Sequence, residues 1–190
     1  MKIYKVHYFN ESFQSFMIDR TGLSEEEYKY LTVFDGVSKE EWHPPKVFST
    51  NPKNPAADFW GFCGYGGAMA LQPVDPSEVY THLEIAGQLL PLLHMGRRFE
   101  LINIVECLDC IDEDQSEWLY SPDGERQLLV KPDFIESHIG GSSLFKIPEL
   151  PLNIYCWEEY SQPLDSFKAA VEANELTGLK FELVWDGENC

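Results

Sequence analysis

Hydrophobic and polar positions along this chain follow a period of two more often than a helical period. In "KIYKVHYFN", Ile3, Tyr4, Val6, Tyr8 and Phe9 interleave with polar residues, which predicts a first strand. "SFQSFMID" predicts a second. "GQLLPLLHMGRRFELINIVECLDC" reads as two apolar strands joined by a turn at Met95–Arg97, with Pro91 placing the first at a sheet edge or breaking it. "SPDGERQ" is a turn signal between strand-like "EWLY" and strand-like "QLLVKP". "SSLFKIP" and "LNIYCW" add two short apolar strands. "LKFELVW" closes the pattern, Leu179, Phe181, Leu183 and Trp185 alternating with Lys180, Glu182 and Val184.

Helical patterns are fewer. "LSEEEYKYLTVFDG" sets Ser24 before three glutamates, an N-cap followed by an acid-rich first turn, although "YLTVFDG" also fits a strand ending in a turn. In "DPSEVYTHLEIA", Asp75 can cap, Pro76 suits the first helical position, and Val79, Leu83 and Ala86 share a face. "QPLDSFKAAVEANELTG" is the best helix, with Leu164, Phe167, Ala170 and Val171 as its apolar face and Gly178 after it. "WHPPKVFSTNPKNPAADF" reads as an irregular connection and "GFCGYGGAMALQP" as a glycine-rich loop. Strands outnumber helices and no βαβα alternation occurs. The expected fold is therefore α+β, with a mostly antiparallel or mixed sheet and a few short helices, one near the C-terminus. The 190 residues suit a single domain over 1–190, or two lobes at about 1–87 and 88–190.

Composition adds a charge imbalance to this outline. There are 32 acids against 14 Lys and Arg, a formal net charge of −18. Direct nucleic-acid binding needs clustered cations facing phosphates, and Arg97-Arg98 is the only adjacent basic pair. A basic protein partner suits the field better. The hydrophobic and aromatic content, 44% and 14%, is ample for a packed interior. Five cysteines, Cys63, Cys107, Cys110, Cys156 and Cys190, are an odd number, and the first residues lack an uninterrupted apolar run. With no stretch approaching the roughly 18 apolar residues of a membrane span, a cytosolic chain with reduced thiols is expected.

The segment "VECLDCIDEDQSEW" concentrates the candidate chemistry. Cys107 and Cys110 have the spacing of half a zinc site, but no second Cys or His pair follows. Asp109, Asp112, Glu113, Asp114 and Glu117 could hold a divalent cation or act as acid and base; the loop lacks the glycine of a calcium hand. "GFCGYGGAM" lacks the Gly-Lys-Ser/Thr ending of a nucleotide loop, Met69 stands where a dinucleotide fingerprint wants a small residue, and no Gly-x-Ser-x-Gly elbow occurs. The five histidines, at 7, 43, 82, 94 and 138, have no ligand-like spacing. No catalytic residue, metal or cofactor is assigned on these grounds.

Residues 88 to 185 carry a further pattern. Asn103 follows Leu101-Ile102. Then come Leu108-Asp109, Ile111-Asp112 and Ser116-Glu117, then Leu144-Phe145-Lys146-Ile147, and last Leu176-Thr177-Gly178-Leu179. "VFDG", Trp42-x-Pro44 and Asp58-Phe59 fit more loosely in the N-terminal half. In order and spacing this resembles a bacterial family of immunity proteins from polymorphic toxin systems, once filed as a domain of unknown function. The resemblance implies a non-enzymatic antitoxin that binds a cognate toxin domain and occludes its active or functional surface. On that reading the toxin contact is expected at Asp109, Asp112, Glu113, Asp114 and Glu117, with Trp157, Glu158 and Glu159 and with Trp118 or Trp157 as an aromatic anchor. The alternative is a small metal-binding or carboxylate-based enzyme using the same Asp109–Glu117 acids.

Overall fold

The computed structural model describes residues 1–8, 11–63, 67–74 and 77–188. The expected roles of Phe9, Gly64, Gly66, Asp75, Pro76 and Cys190 fall outside that set. The first elements are β1 (Lys2–His7), β2 (Ser15–Ile18), α1 (Glu25–Thr32), β3 (Val47–Thr50), β4 (Phe59–Phe62) and β5 (Ala68–Leu71). Then follow α2 (Ser77–Ala86), β6 (Gly87–His94), β7 (Arg97–Ile104), β8 (Glu117–Tyr120) and β9 (Arg126–Lys131). The last are β10 (Leu144–Phe145), β11 (Ile154–Glu158), α3 (Phe167–Ala173) and β12 (Lys180–Asp186). The fold is α+β, as the patterning predicts.

Among the described residues three sheets form: a six-stranded one in the order β3-β2-β4-β5-β7-β6, a four-stranded one in the order β10-β11-β1-β12, and the β8-β9 hairpin. Every strand pair is antiparallel except β2 with β4. The six-stranded sheet is apolar on both faces. One face carries Phe16, Trp60, Phe62, Ala68, Ala70, Phe99 and Leu101 against Leu31 and Phe34. The other carries Phe59, Met69, Leu71, Ile102 and Ile104 against Val79, Leu83 and Ala86 of α2, Phe167 and Val171 of α3, and Val6, Leu144, Ile154 and Cys156 of the four-stranded sheet. That second sheet uses its reverse face, through Ile3, Phe145, Tyr155 and Trp185, to hold Trp118 and Leu129 of the hairpin.

Local chemistry explains most boundaries. Ser24 and Glu27 form a reciprocal capping box at the start of α1, which resolves that stretch as helix. Pro91 lies in β6 at the edge of its sheet, where no ladder donor is required of it; its carbonyl accepts from Trp42 Nε1 at 2.9 Å. Four expectations are corrected. "VFST", read as irregular, is the edge strand β3. Much of the glycine-rich loop is in β4 and β5, fully buried at the centre of the sheet. The best helix starts only at Phe167, capped by Ser166, so Leu164 precedes it and is 86% exposed. In β12 a register shift opposite Ile3 and Tyr4 breaks the alternation, leaving Leu183 exposed and Trp185 buried.

Gly178 has a different task from the one expected. The residue that turns the chain after α3 is Glu175, at φ 53°. Gly178, at φ 101°, packs so closely on β4 that a Cβ would stand 2.1 Å from the Phe59 carbonyl oxygen. Beside it, Phe59 N–H donates to the Thr177 carbonyl, and Asp58 Oδ2 accepts from both the N–H and the hydroxyl of Thr177 at 2.7 Å. Gly178→Ala is expected to lower unfolding free energy by about 2–3 kcal/mol, because strain and a backbone clash coincide. Urea unfolding checks this; a loss below about 0.5 kcal/mol contradicts the close approach.

Candidate partner-binding site

Residues 105–116 connect β7 to β8 and lie along the four-stranded sheet. The backbone bridges Cys107 to Lys146 and Ile111 to Phe134. Leu108 N–H donates to the Lys146 carbonyl, and Lys146 N–H to that of Glu106. This anchoring buries Cys110 and Ile111 in the hairpin-side core and leaves Asp109, Glu113, Asp114 and Glu117 exposed. Asp112 is half-buried and shapes the turn: its Oδ1 accepts from the N–H groups of Asp114 and Gln115 at 3.0 and 3.1 Å. Glu113 pairs with Arg126, whose guanidinium also lies 5.1 Å from the Trp118 ring centre, and Glu117 lies 3.5 Å from Lys131. Exposed pairs such as these contribute little stability.

The second expected cluster divides between two faces. Trp157 faces the hairpin-side core, as Trp118 does, and its Nε1 donates to the Ser142 carbonyl at 2.7 Å. Its neighbour Glu158 points to the opposite face of the sheet. There it accepts from the Tyr4 hydroxyl at 3.4 Å and lies 3.6 Å from Lys168 Nζ, holding α3 in place. Glu159 accepts from the Ser161 hydroxyl at 3.2 Å. The structure thus brings Trp157 to the core that also carries the acidic segment and sets Glu158 on the α3 side.

The four described thiols are held in the protonated form. Burial pushes the Cys110 thiol up to about 12, with the Glu149 and Asp109 charges adding to it; Cys107 is raised by burial first and then by Glu149. Cys63 and Cys156 are likewise pushed up to about 12 by burial. Neighbouring carboxylates oppose the thiolate that metal binding or redox exchange requires. Among the described residues, no group of three or more His, Cys, Asp and Glu converges on a common point. Cys107→Ser with Cys110→Ser is expected to lower unfolding free energy by only about 1–2 kcal/mol, the cost of one hydroxyl in an apolar site. Elemental analysis of the purified wild type and double variant should show no difference in zinc; stoichiometric zinc lost on mutation contradicts the assignment.

Sequence reasoning missed a buried polar network that joins the motif residues. Lys146 is 0% exposed, and its Nζ donates to the carbonyls of Phe34 and Gly67. Lys39, also buried, donates to the carbonyls of Tyr30 and Val33 at 2.8 and 2.7 Å, its ammonium 4.9 Å from the Phe34 ring centre. Asn103 Nδ2 donates to the Val37 carbonyl at 2.9 Å and to Gln88 Oε1 at 3.0 Å, and Gln88 Oε1 also accepts from Lys39 N–H. Four carbonyls of residues 30–37 are thereby gripped. Burial lowers the Lys146 pKa to about 8, against a smaller opposing effect of Asp35. The available signal was a lysine standing among Leu144, Phe145 and Ile147, all of them buried.

A family model described as an immunity protein family (Imm11) matches residues 92–186, half of the chain. No curated protein matches it.

Proposed function

Because the chain belongs to the Imm11 immunity protein family, we propose that it is a cytoplasmic antitoxin that binds a cognate toxin domain of a polymorphic toxin system and covers its active or functional surface. The family match carries this reading. The net charge of −18 supports a basic toxin, since such a field accelerates encounter with a cationic partner. No helix of the described residues is long and apolar enough to cross a membrane. The protein makes and breaks no covalent bond of its own in this scheme; the work is done by surface complementarity. Asp109, Glu113, Asp114 and Glu117 supply the contact charges, and Asp112 sets the turn that presents them.

The test is growth rescue. The toxin domain encoded beside this chain is expressed with and without it, and restored growth together with a co-purifying complex is the expected result. Unrelieved toxicity, with no complex by gel filtration, overturns the reading.

A further inference from the structure

The β8-β9 hairpin is apolar on both faces, and only one of them is covered. Trp118 and Leu129, directly paired, face inward onto Ile111, Phe134 and Tyr155. Leu119 and Leu128, also directly paired, face outward and are 53% and 50% exposed; Val130 beside them is 60% exposed. Tyr120, 51% exposed, alternates with Leu119 to the Trp118 side, where it meets Arg126. A hairpin resting on a core needs one apolar face and ordinarily presents a polar one to water. Within its ten strand residues this hairpin carries four large exposed apolar side chains, three of them on the outer face. Strand propensity alone does not require leucine there, since threonine would serve a solvent-facing strand position as well. A clustered apolar surface inside a polar rim is the anatomy of an interface.

The rim identifies the occupant. Residues 109–136 hold nine acids and two cations. Both cations, Arg126 and Lys131, are already matched within the unit by Glu113 and Glu117. Asp114, Asp123 and Glu125 stand exposed around the apolar patch. A second copy of this chain would set one negative rim against another, and anionic lipid or nucleic acid would meet the same repulsion. We infer that the outer face of the β8-β9 hairpin is the docking surface for a protein partner bearing an apolar spot within a Lys- and Arg-rich surround. The apolar pair Leu119 and Leu128 anchors the complex, and the acids steer it. This rests on the immunity reading and deepens it, the partner being the toxin domain.

The experiment titrates the catalytically inactivated toxin domain encoded beside this chain against three variants. Leu119→Thr with Leu128→Thr keeps strand propensity and core contacts, so the melting temperature should stay near wild type while affinity falls by about 30-fold or more. Asp123→Lys with Glu125→Lys alters only the exposed turn and should slow association about tenfold. Ile85→Gln with Leu93→Thr, equally exposed apolar positions outside the hairpin, should bind as wild type. Wild-type binding that survives both hairpin variants overturns the docking assignment and leaves the immunity reading standing. Absence of wild-type binding defeats the reading and the assignment with it. A wild-type dimer that the Leu119 and Leu128 changes convert to monomer in sedimentation also overturns it, by showing that a second copy is the occupant.

Discussion

Lys146→Ala is expected to lower the free energy of unfolding by about 3–5 kcal/mol, the largest loss from any single substitution considered, because it empties a packed site and leaves two buried carbonyls without a donor. Those carbonyls, of Phe34 and Gly67, belong to separate segments that Lys146 ties to β10. Lys146→Met keeps most of the volume and removes the amine, so a smaller loss of about 1–3 kcal/mol is expected. The pair carries a pH signature. The folded ammonium titrates near 8 and the unfolded one near 10.5, so between those values the unfolded state binds more protons and the wild-type contribution grows as pH rises. The stability gap between wild type and Lys146→Met should therefore widen from pH 8 to pH 10.5. Chemical unfolding measures both. An alanine variant within about 1 kcal/mol of wild type contradicts the anchoring role.

Association with the toxin domain is the second large effect. Raising salt from about 50 to about 500 mM is expected to slow association by about tenfold or more, with a much smaller change in dissociation, since long-range attraction is screened while the docked apolar contact is not. Glu113→Gln with Asp114→Asn, both exposed, should reproduce part of that slowing at low salt and flatten the salt dependence. Stopped-flow fluorescence follows the reaction through the partly exposed tryptophans. Rates that stay level across the salt range contradict electrostatic steering and leave shape alone to account for recognition.

The two predictions separate what this chain uses inside from what it shows outside. The motif residues that carry the family resemblance are largely internal. Asn103 and Lys146 grip the segment that contains "VFDG", and Asp58 and Phe59 meet Thr177 and Gly178 across 119 residues of sequence. These contacts close the fold. On the proposed reading, binding uses the acidic turn and the hairpin, whose exposed side chains lie outside the core.

The sequence was readable wherever one face of an element is buried. β6, α1 and α2 have that character, and their patterns indicate them; β1 and β7, buried on both faces over part of their length, are still marked by apolar runs bounded by polar residues. β4 and β5 are buried on both faces, so "FWGF" and "AMAL" show no alternation, and the adjacent glycines suggest a loop instead. Leu164 suits a helical face by spacing, yet Ser166 caps the helix after it. The acidic turn was legible as charge. The hairpin was legible as strand–turn–strand, but its outward leucines were not, because alternation cannot say which of two apolar faces meets water. Lys146 was hidden by the ordinary expectation that a lysine sits at the surface.

β1 lies between β11 and β12, so residue 6 must find residue 154 on one side and residue 181 on the other. A ribosome delivers the first strand long before either neighbour exists, and at about 5–20 residues per second that interval lasts many seconds. The sheet that seats the hairpin closes only when the final strand has emerged from the exit tunnel. A polypeptide that stops before β12 would leave β1 with one open edge and the hairpin on an incomplete sheet.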